Sequence, residues 1–188
     1  MTIAERSQVR LEETWNLDDL FPDDEAWEAA RAAIEAEIPG LERFRGRLGE
    51  SAATLRDCLD AQEALNVRLV RVGTFSHLRN AADGRDPANQ ARHAKVEMLR
   101  SRIAAATSFV ASEIAGLPDG SIERFLASEP GLEAHRRDLE FVLETKRYRL
   151  HPEAERALAA LGEVFGAPYR VYDRTKSSDM RFEAVEDG

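Results

Sequence analysis

The placement of helix breakers constrains this chain more than any other feature of its sequence. Eleven glycines and seven prolines fall at intervals, and between them apolar side chains recur every three, four or seven residues. From Ser51 to the Asp83-Gly84 turn signal the apolar stripe reads Leu55, Leu59, Gln62, Leu65, Leu69, Val72 and Ser76. That near-heptad spacing predicts one long helix with Ser51 as its N-cap. Asp86 and Pro87 supply a cap and a first-turn proline for a second long helix, whose inner face carries Met98, Leu99, Ile103, Ala106, Val110 and Ile114. Two such helices joined by a short polar turn pack antiparallel as an αα-hairpin.

Shorter elements flank this pair. After Phe21-Pro22, either Asp23 or Asp24 can cap a new helix, with Glu25 and Glu28 near its positive end. Trp27, Ile34, Ile38, Leu41, Phe44 and Leu48 form one stripe that runs through Pro39-Gly40, so a kink or two closely stacked helices is expected there. Gly49 ends that unit. Gly116-Leu117-Pro118 stops the second long helix, and Glu129-Pro130-Gly131 makes another break, with a short helix carrying Ile122, Phe125 and Leu126 between them. A helix follows from Leu132 through Leu139, Val142 and Leu143. Pro152 fits the first turn of another, with Leu158, Leu161 and Phe165 facing inward, and Pro168 opens one more before Ser177.

The final residues change period. Met180, Phe182 and Ala184 alternate with Arg181, Glu183 and Val185, which predicts a strand, and Asp187-Gly188 is a hairpin-turn signal. The expected fold is all-α, an antiparallel helical bundle of six or seven helices with long αα-hairpins, ending in one β-strand of an incomplete hairpin. Residues 1–22 read as an extended N-terminal segment, 23–178 as a helical domain, and 179–188 as the first strand of a hairpin. A lone strand leaves backbone groups unpaired, so the chain reads as the leading part of a longer one.

Charge and chemistry narrow the function. With 26 Lys and Arg against 35 Asp and Glu, the formal charge is -9, a balance that repels a phosphate backbone. No run approaches the roughly 18 apolar residues of a membrane helix, and the opening residues lack a basic start followed by an apolar stretch, so a cytoplasmic address is expected. The lone Cys58, with no base near it, reads as an apolar filler. The histidines, His77, His93, His135 and His151, are spaced by 16, 42 and 16 residues, so no two share adjacent turns. His-Glu-x-x-His, which would aim two imidazoles at one zinc, is absent, as are phosphate loops and Gly-x-Ser-x-Gly. His93 with Glu97 and His151 with Glu155 read as solvated ion pairs. His135 lies on an apolar stripe as either a tuned acid or base or, more simply, a partly buried imidazole hydrogen-bonded to a neighbour. Asp18-Asp19 and Asp23-Asp24 lack EF-hand spacing and read as caps. No catalytic, cofactor-binding or metal-binding residue is assigned.

The run Thr14-Trp15-Asn16-Leu17-Asp18-Asp19-Leu20-Phe21-Pro22-Asp23-Asp24-Glu25-Ala26-Trp27 resembles the start of the oligoendopeptidase F family, zinc metallopeptidases related to thimet oligopeptidase. Phe44-Arg45-Gly46-Arg47-Leu48, Phe75-Ser76-His77-Leu78 and Met180-Arg181-Phe182 continue the resemblance in the same order. Asn16 departs from an expected Asp, and His151 stands where Ser or Thr more usually caps. The resemblance implies a helical N-terminal region forming a wall of a substrate channel over a C-terminal catalytic domain of the same chain. It also implies zinc as the complete enzyme's cofactor, short peptides as its substrates, and a metal-bound water as nucleophile. The family's zinc ligands and catalytic Glu match no position here, so this chain alone should be inactive. The alternative reading is a free-standing helical module that binds a partner helix.

Overall fold

Of the two candidate caps for the first helix, Asp23 takes the role: its carboxylate accepts a hydrogen bond from the Ala26 N–H at 2.7 Å. The structure is a computed structural model of the 188-residue chain that describes residues 9–146, 148, 154, 158 and 161–176. Among these residues it is all-helical, with six α-helices and no strand. They are α1 (Asp24–Glu37), α2 (Ala52–Ala82), α3 (Pro87–Gly116), α4 (Ser121–Ser128), α5 (Arg136–Lys146) and α6 (Gly162–Arg174). Short 3-10 helices span Leu11–Glu13, Ile38–Phe44 and Pro130–His135. Residues 9–144 lie in one compact unit and 161–176 in another. The expected strand at 179–188 and the helix start at Pro152 lie outside the described residues.

The two long helices start where their caps predict. The Ser51 hydroxyl accepts from the Thr54 N–H at 3.0 Å, and the Asp86 carboxylate accepts from the Ala88 N–H at 2.8 Å ahead of Pro87. At 31 residues α2 is roughly 46 Å long, whereas the 14 residues of α1 reach only roughly 21 Å. One covering helix cannot shield both ends of the pair. The chain accordingly builds two cores along it. In the first, Phe21, Trp27 and Ile34 cover Leu69, Val72 and Phe75 of α2 and Val96 and Leu99 of α3. In the second, Leu48, Ile122, Leu132 and Leu139 cover Leu55 and Cys58 of α2 and Val110 and Ile114 of α3. The C-terminal half of α2 thus meets the N-terminal half of α3, the antiparallel arrangement that the short turn requires.

Between α1 and α2 the backbone tightens instead of breaking. Pro39 lies in the first turn of the 3-10 helix Ile38–Phe44, where its missing N–H costs nothing. In that helix side chains three apart eclipse, which is why Ile38, Leu41 and Phe44 can all be buried on one line. Gly46 then adopts φ +76°, a left-handed turn that a side chain would strain. The turn is held from α3: the Glu113 carboxylate accepts from the Gly46 N–H at 2.6 Å and from the Leu48 N–H at 3.4 Å.

Two expectations need correction. Met98, predicted inward, is 61% exposed, because the inner stripe of α3 runs through Val96, Leu99 and Ile103 and a residue one step from Leu99 is turned about 100° away. Pro168 does not open a helix but lies inside α6, and Leu158, Leu161 and Phe165, expected inside, are exposed. The apolar period of that segment is real, but it marks a surface.

Trp27 anchors the first core. Its ring is buried and stacks near Phe75 at 6.5 Å, and its indole N–H donates to the Val72 carbonyl at 3.0 Å. Trp27→Phe should therefore cost about 1–3 kcal/mol in urea unfolding, through the lost hydrogen bond and the space left behind. Trp15→Phe, at an 82% exposed position, should stay within about 0.5 kcal/mol. Equal midpoints for the two variants would contradict this packing.

Candidate functional site

Among the described histidines, His77, His93 and His135, one is buried against polar partners. His77 is exposed and His93 partly so, while His151 lies outside the described residues. The expected His93–Glu97 pair does not form: Glu97 turns to Arg100 at 3.4 Å, which an always-charged guanidinium favours over an imidazole. His135 is buried at the end of the 3-10 helix Pro130–His135, with Nε2 2.7 Å from Oδ1 of Asp60 and 4.0 Å from Oε2 of Glu63. This is the imidazole hydrogen-bonded to a neighbour that its apolar surroundings suggested.

The sequence builds this position from both sides. Asp60 and Glu63 are three apart on α2, hence on one face. Glu129 caps the 3-10 turn, accepting from the Gly131 N–H at 3.2 Å, and is tied to Arg56 of α2 at 2.9 Å. Gly131 is needed for that closeness, since a Cβ there would lie 2.7 Å from Cδ of Arg56. The ligand atoms of Asp60, Glu63 and His135 lie within 4.8 Å of one another, a spacing at which one metal ion could be shared. Sequence reasoning missed this group because 75 residues separate Asp60 from His135. Asp60 and Glu63 at i, i+3 were its only local trace.

Beside the cluster runs a groove of about 450 Å³ between α2, α3 and α5. Val67, Val110, Leu139 and Val142 make its apolar wall, Glu63, His135 and Asp138 stand in its polar lining, and among the described residues no Lys or Arg lines it. Gln62 also faces it, with a buried Oε1 that has no hydrogen-bond partner among the described residues. The groove therefore favours apolar or cationic groups over anions.

The acidic pairs have structural work. Asp23 caps α1, whereas Asp24, the rival cap, pairs with Arg92 of α3 and lies 3.6 Å from Arg79 of α2. Asn16 closes an Asx turn by accepting from the Asp18 N–H at 3.2 Å, so an amide serves where an Asp was expected. Cys58 is 1% exposed, and burial pushes its thiol up to about 11. It is therefore neutral and unreactive at physiological pH. The sign of the effect follows: folding holds the thiol protonated, so that contribution to stability is complete below about pH 9 and disappears as pH rises toward about 11. Unfolding free energies measured across this range should fall less steeply for Cys58→Ala than for the parent chain.

Comparison with known proteins accords with the all-helical architecture. Residues 113–182 match the family described as Oligopeptidase F. Oligopeptidase PepF of Bacillus subtilis is 29% identical over 185 residues, which are 98% of this chain and 28% of the relative. The group B oligopeptidase PepB of Streptococcus agalactiae is 26% identical over 181 residues, 96% of this chain and 30% of the relative. The crystal structure of oligoendopeptidase-F from Enterococcus faecium superposes with a TM-score of 0.71 at 23% identity, over 87% of this chain and 32% of that one, a likeness of fold alone. This chain thus spans about 28–30% of the length of the curated relatives it matches. Its resemblance to the N-terminal region of the oligoendopeptidase F family therefore holds.

Proposed function

We propose that this chain is the N-terminal helical part of a zinc metallo-oligoendopeptidase that hydrolyses short peptides, and that it forms one wall of the substrate channel. The observation that carries this reading is the similarity to Bacillus subtilis PepF along 98% of this chain but only 28% of the relative. The chain has no His-Glu-x-x-His, and its histidines are too far apart in sequence to form that helix, so the family's catalytic zinc has no ligand set here. No bond-breaking step is assigned to it. When bound in the complete enzyme, zinc would activate water for attack on a peptide carbonyl. This chain's contribution is enclosure. A rigid helical hairpin with a core at each end can exclude folded proteins while admitting extended peptides, and no helix among the described residues is long and apolar enough to cross a membrane. These features fit a cytoplasmic peptidase.

A free-standing interaction module is the second reading, and α6 favours it, because Val164, Phe165, Tyr169, Val171 and Tyr172 are all exposed. Cleavage assays separate the two. The 188-residue chain, and the same chain extended by whatever coding sequence follows Gly188, are incubated with quenched fluorescent peptides and zinc. Only the extended protein should cleave, and it should spare the same peptide embedded in a folded domain. Zinc-dependent cleavage by the 188-residue chain at a comparable rate overturns the assignment, and a stop codon directly after Gly188 favours the module. The formal charge of -9 adds a further expectation: cationic peptides should lose more rate than anionic ones as salt rises and the Debye length shortens to about 10 Å at 0.1 M.

A further inference from the structure

We propose that Asp60, Glu63 and His135 form a three-ligand site for a divalent ion of the zinc class, separate from any catalytic zinc and serving to clamp α2 to the 3-10 turn Pro130–His135. The three side chains already converge, with Nε2 of His135 at 2.7 Å from Asp60 and 4.0 Å from Glu63, and all ligand atoms within 4.8 Å of one another. Ligands held about 2.0–2.2 Å from a tetrahedral ion stand roughly 3.3 Å apart. The separations here straddle that value, so small rotations of two carboxylates bring the set to it. Those carboxylates have room to rotate, with side chains 54% and 63% exposed, whereas the imidazole side chain is 7% exposed and enclosed. One rigid ligand and two adjustable ones suit an ion that enters from solvent.

The donor set selects the ion. An imidazole nitrogen with two carboxylates suits zinc and its neighbours, whereas calcium takes six to eight oxygens and magnesium an octahedron of oxygens. Three protein ligands leave a fourth position for water. Arg56 is the nearest competitor for Asp60, but it stands 3.8 Å away and is already held by Asp57 at 2.6 Å and Glu129 at 2.9 Å. In binding, the ion replaces the hydrogen bond between Nε2 and Asp60, and the neutral ring carries its proton on Nδ1.

The test uses metal-free 188-residue chain titrated with zinc chloride by calorimetry. One ion per chain is expected, together with a rise in melting temperature and a shift of the His135 Nε2 resonance that hydrogen bonding alone would not produce. Asp60→Asn and Glu63→Gln alter exposed positions and should leave the fold intact by circular dichroism, yet each should weaken binding by about tenfold or more. His93→Asn should leave binding unchanged, and excess magnesium should not displace the zinc. The proposal fails if no zinc binds, if Glu63→Gln binds as tightly as the parent chain, or if the bound ion is lost in His93→Asn instead.

Discussion

The mismatch in length between the central hairpin and the elements that cover it governs this fold. A helix of 31 residues exposes more apolar surface than a helix of 14 can shield, and an uncovered stripe would forfeit about 1.5–3 kcal/mol for each large side chain left in water. The chain therefore wraps the α2–α3 pair from both ends. The segment from Leu17 through Leu41 closes one core, and Phe44, Leu48, α4, the 3-10 turn and α5 close the other. Covers that are far apart along the chain, such as Leu48 and Leu132, come to share one core because the same hairpin end needs both.

Charge reinforces what burial arranges. Arg31 of α1 bonds Glu28 and Glu35 on its own helix, and these carboxylates also reach Lys95 and Arg102 of α3. Glu37 at the end of α1 pairs with Arg68 of α2. Each of Glu28, Glu35 and Glu37 is held below the usual carboxylate range, first by its hydrogen bond to arginine. Contributions of this kind are present above the ordinary carboxylate pKa and vanish as pH falls through the lowered values. The pairs are largely solvated, so their main effect is to set the angle and register of α1 against the hairpin.

His135 shows how the second core produces a polar site without intending chemistry in its neighbours. The Glu129 cap, the tolerance of Gly131 for Arg56 and the burial of Leu132 and Leu139 fix the end of the 3-10 turn. The imidazole Nε2 then lies 2.7 Å from Asp60 and 4.0 Å from Glu63 on the face of α2. That arrangement ties α2 to the 3-10 turn at the point where the chain returns to the hairpin.

Much of the helical layout was legible in the sequence because it rests on local physics. Asp23, Ser51 and Asp86 mark helix starts through hydrogen bonds that span only two or three residues, and the stripe Leu55, Leu65, Leu69 and Val72 declares its buried face through a period set by helix geometry. The same logic failed at Met98 and Phe165, since a period shows that a face is apolar and does not show what covers it. The cluster of Asp60, Glu63 and His135 was illegible for a stronger reason: its closeness in space depends on how the second core closes over the hairpin, and the 75 residues between Asp60 and His135 carry no sign that the two meet. The sequence by itself determined that the chain is largely helical, where α2 and α3 begin and which family it resembles, because capping and periodicity act between near neighbours. Only the tertiary structure decided which apolar faces are covered and which carboxylates meet the buried imidazole, because those contacts arise from the packing of remote segments.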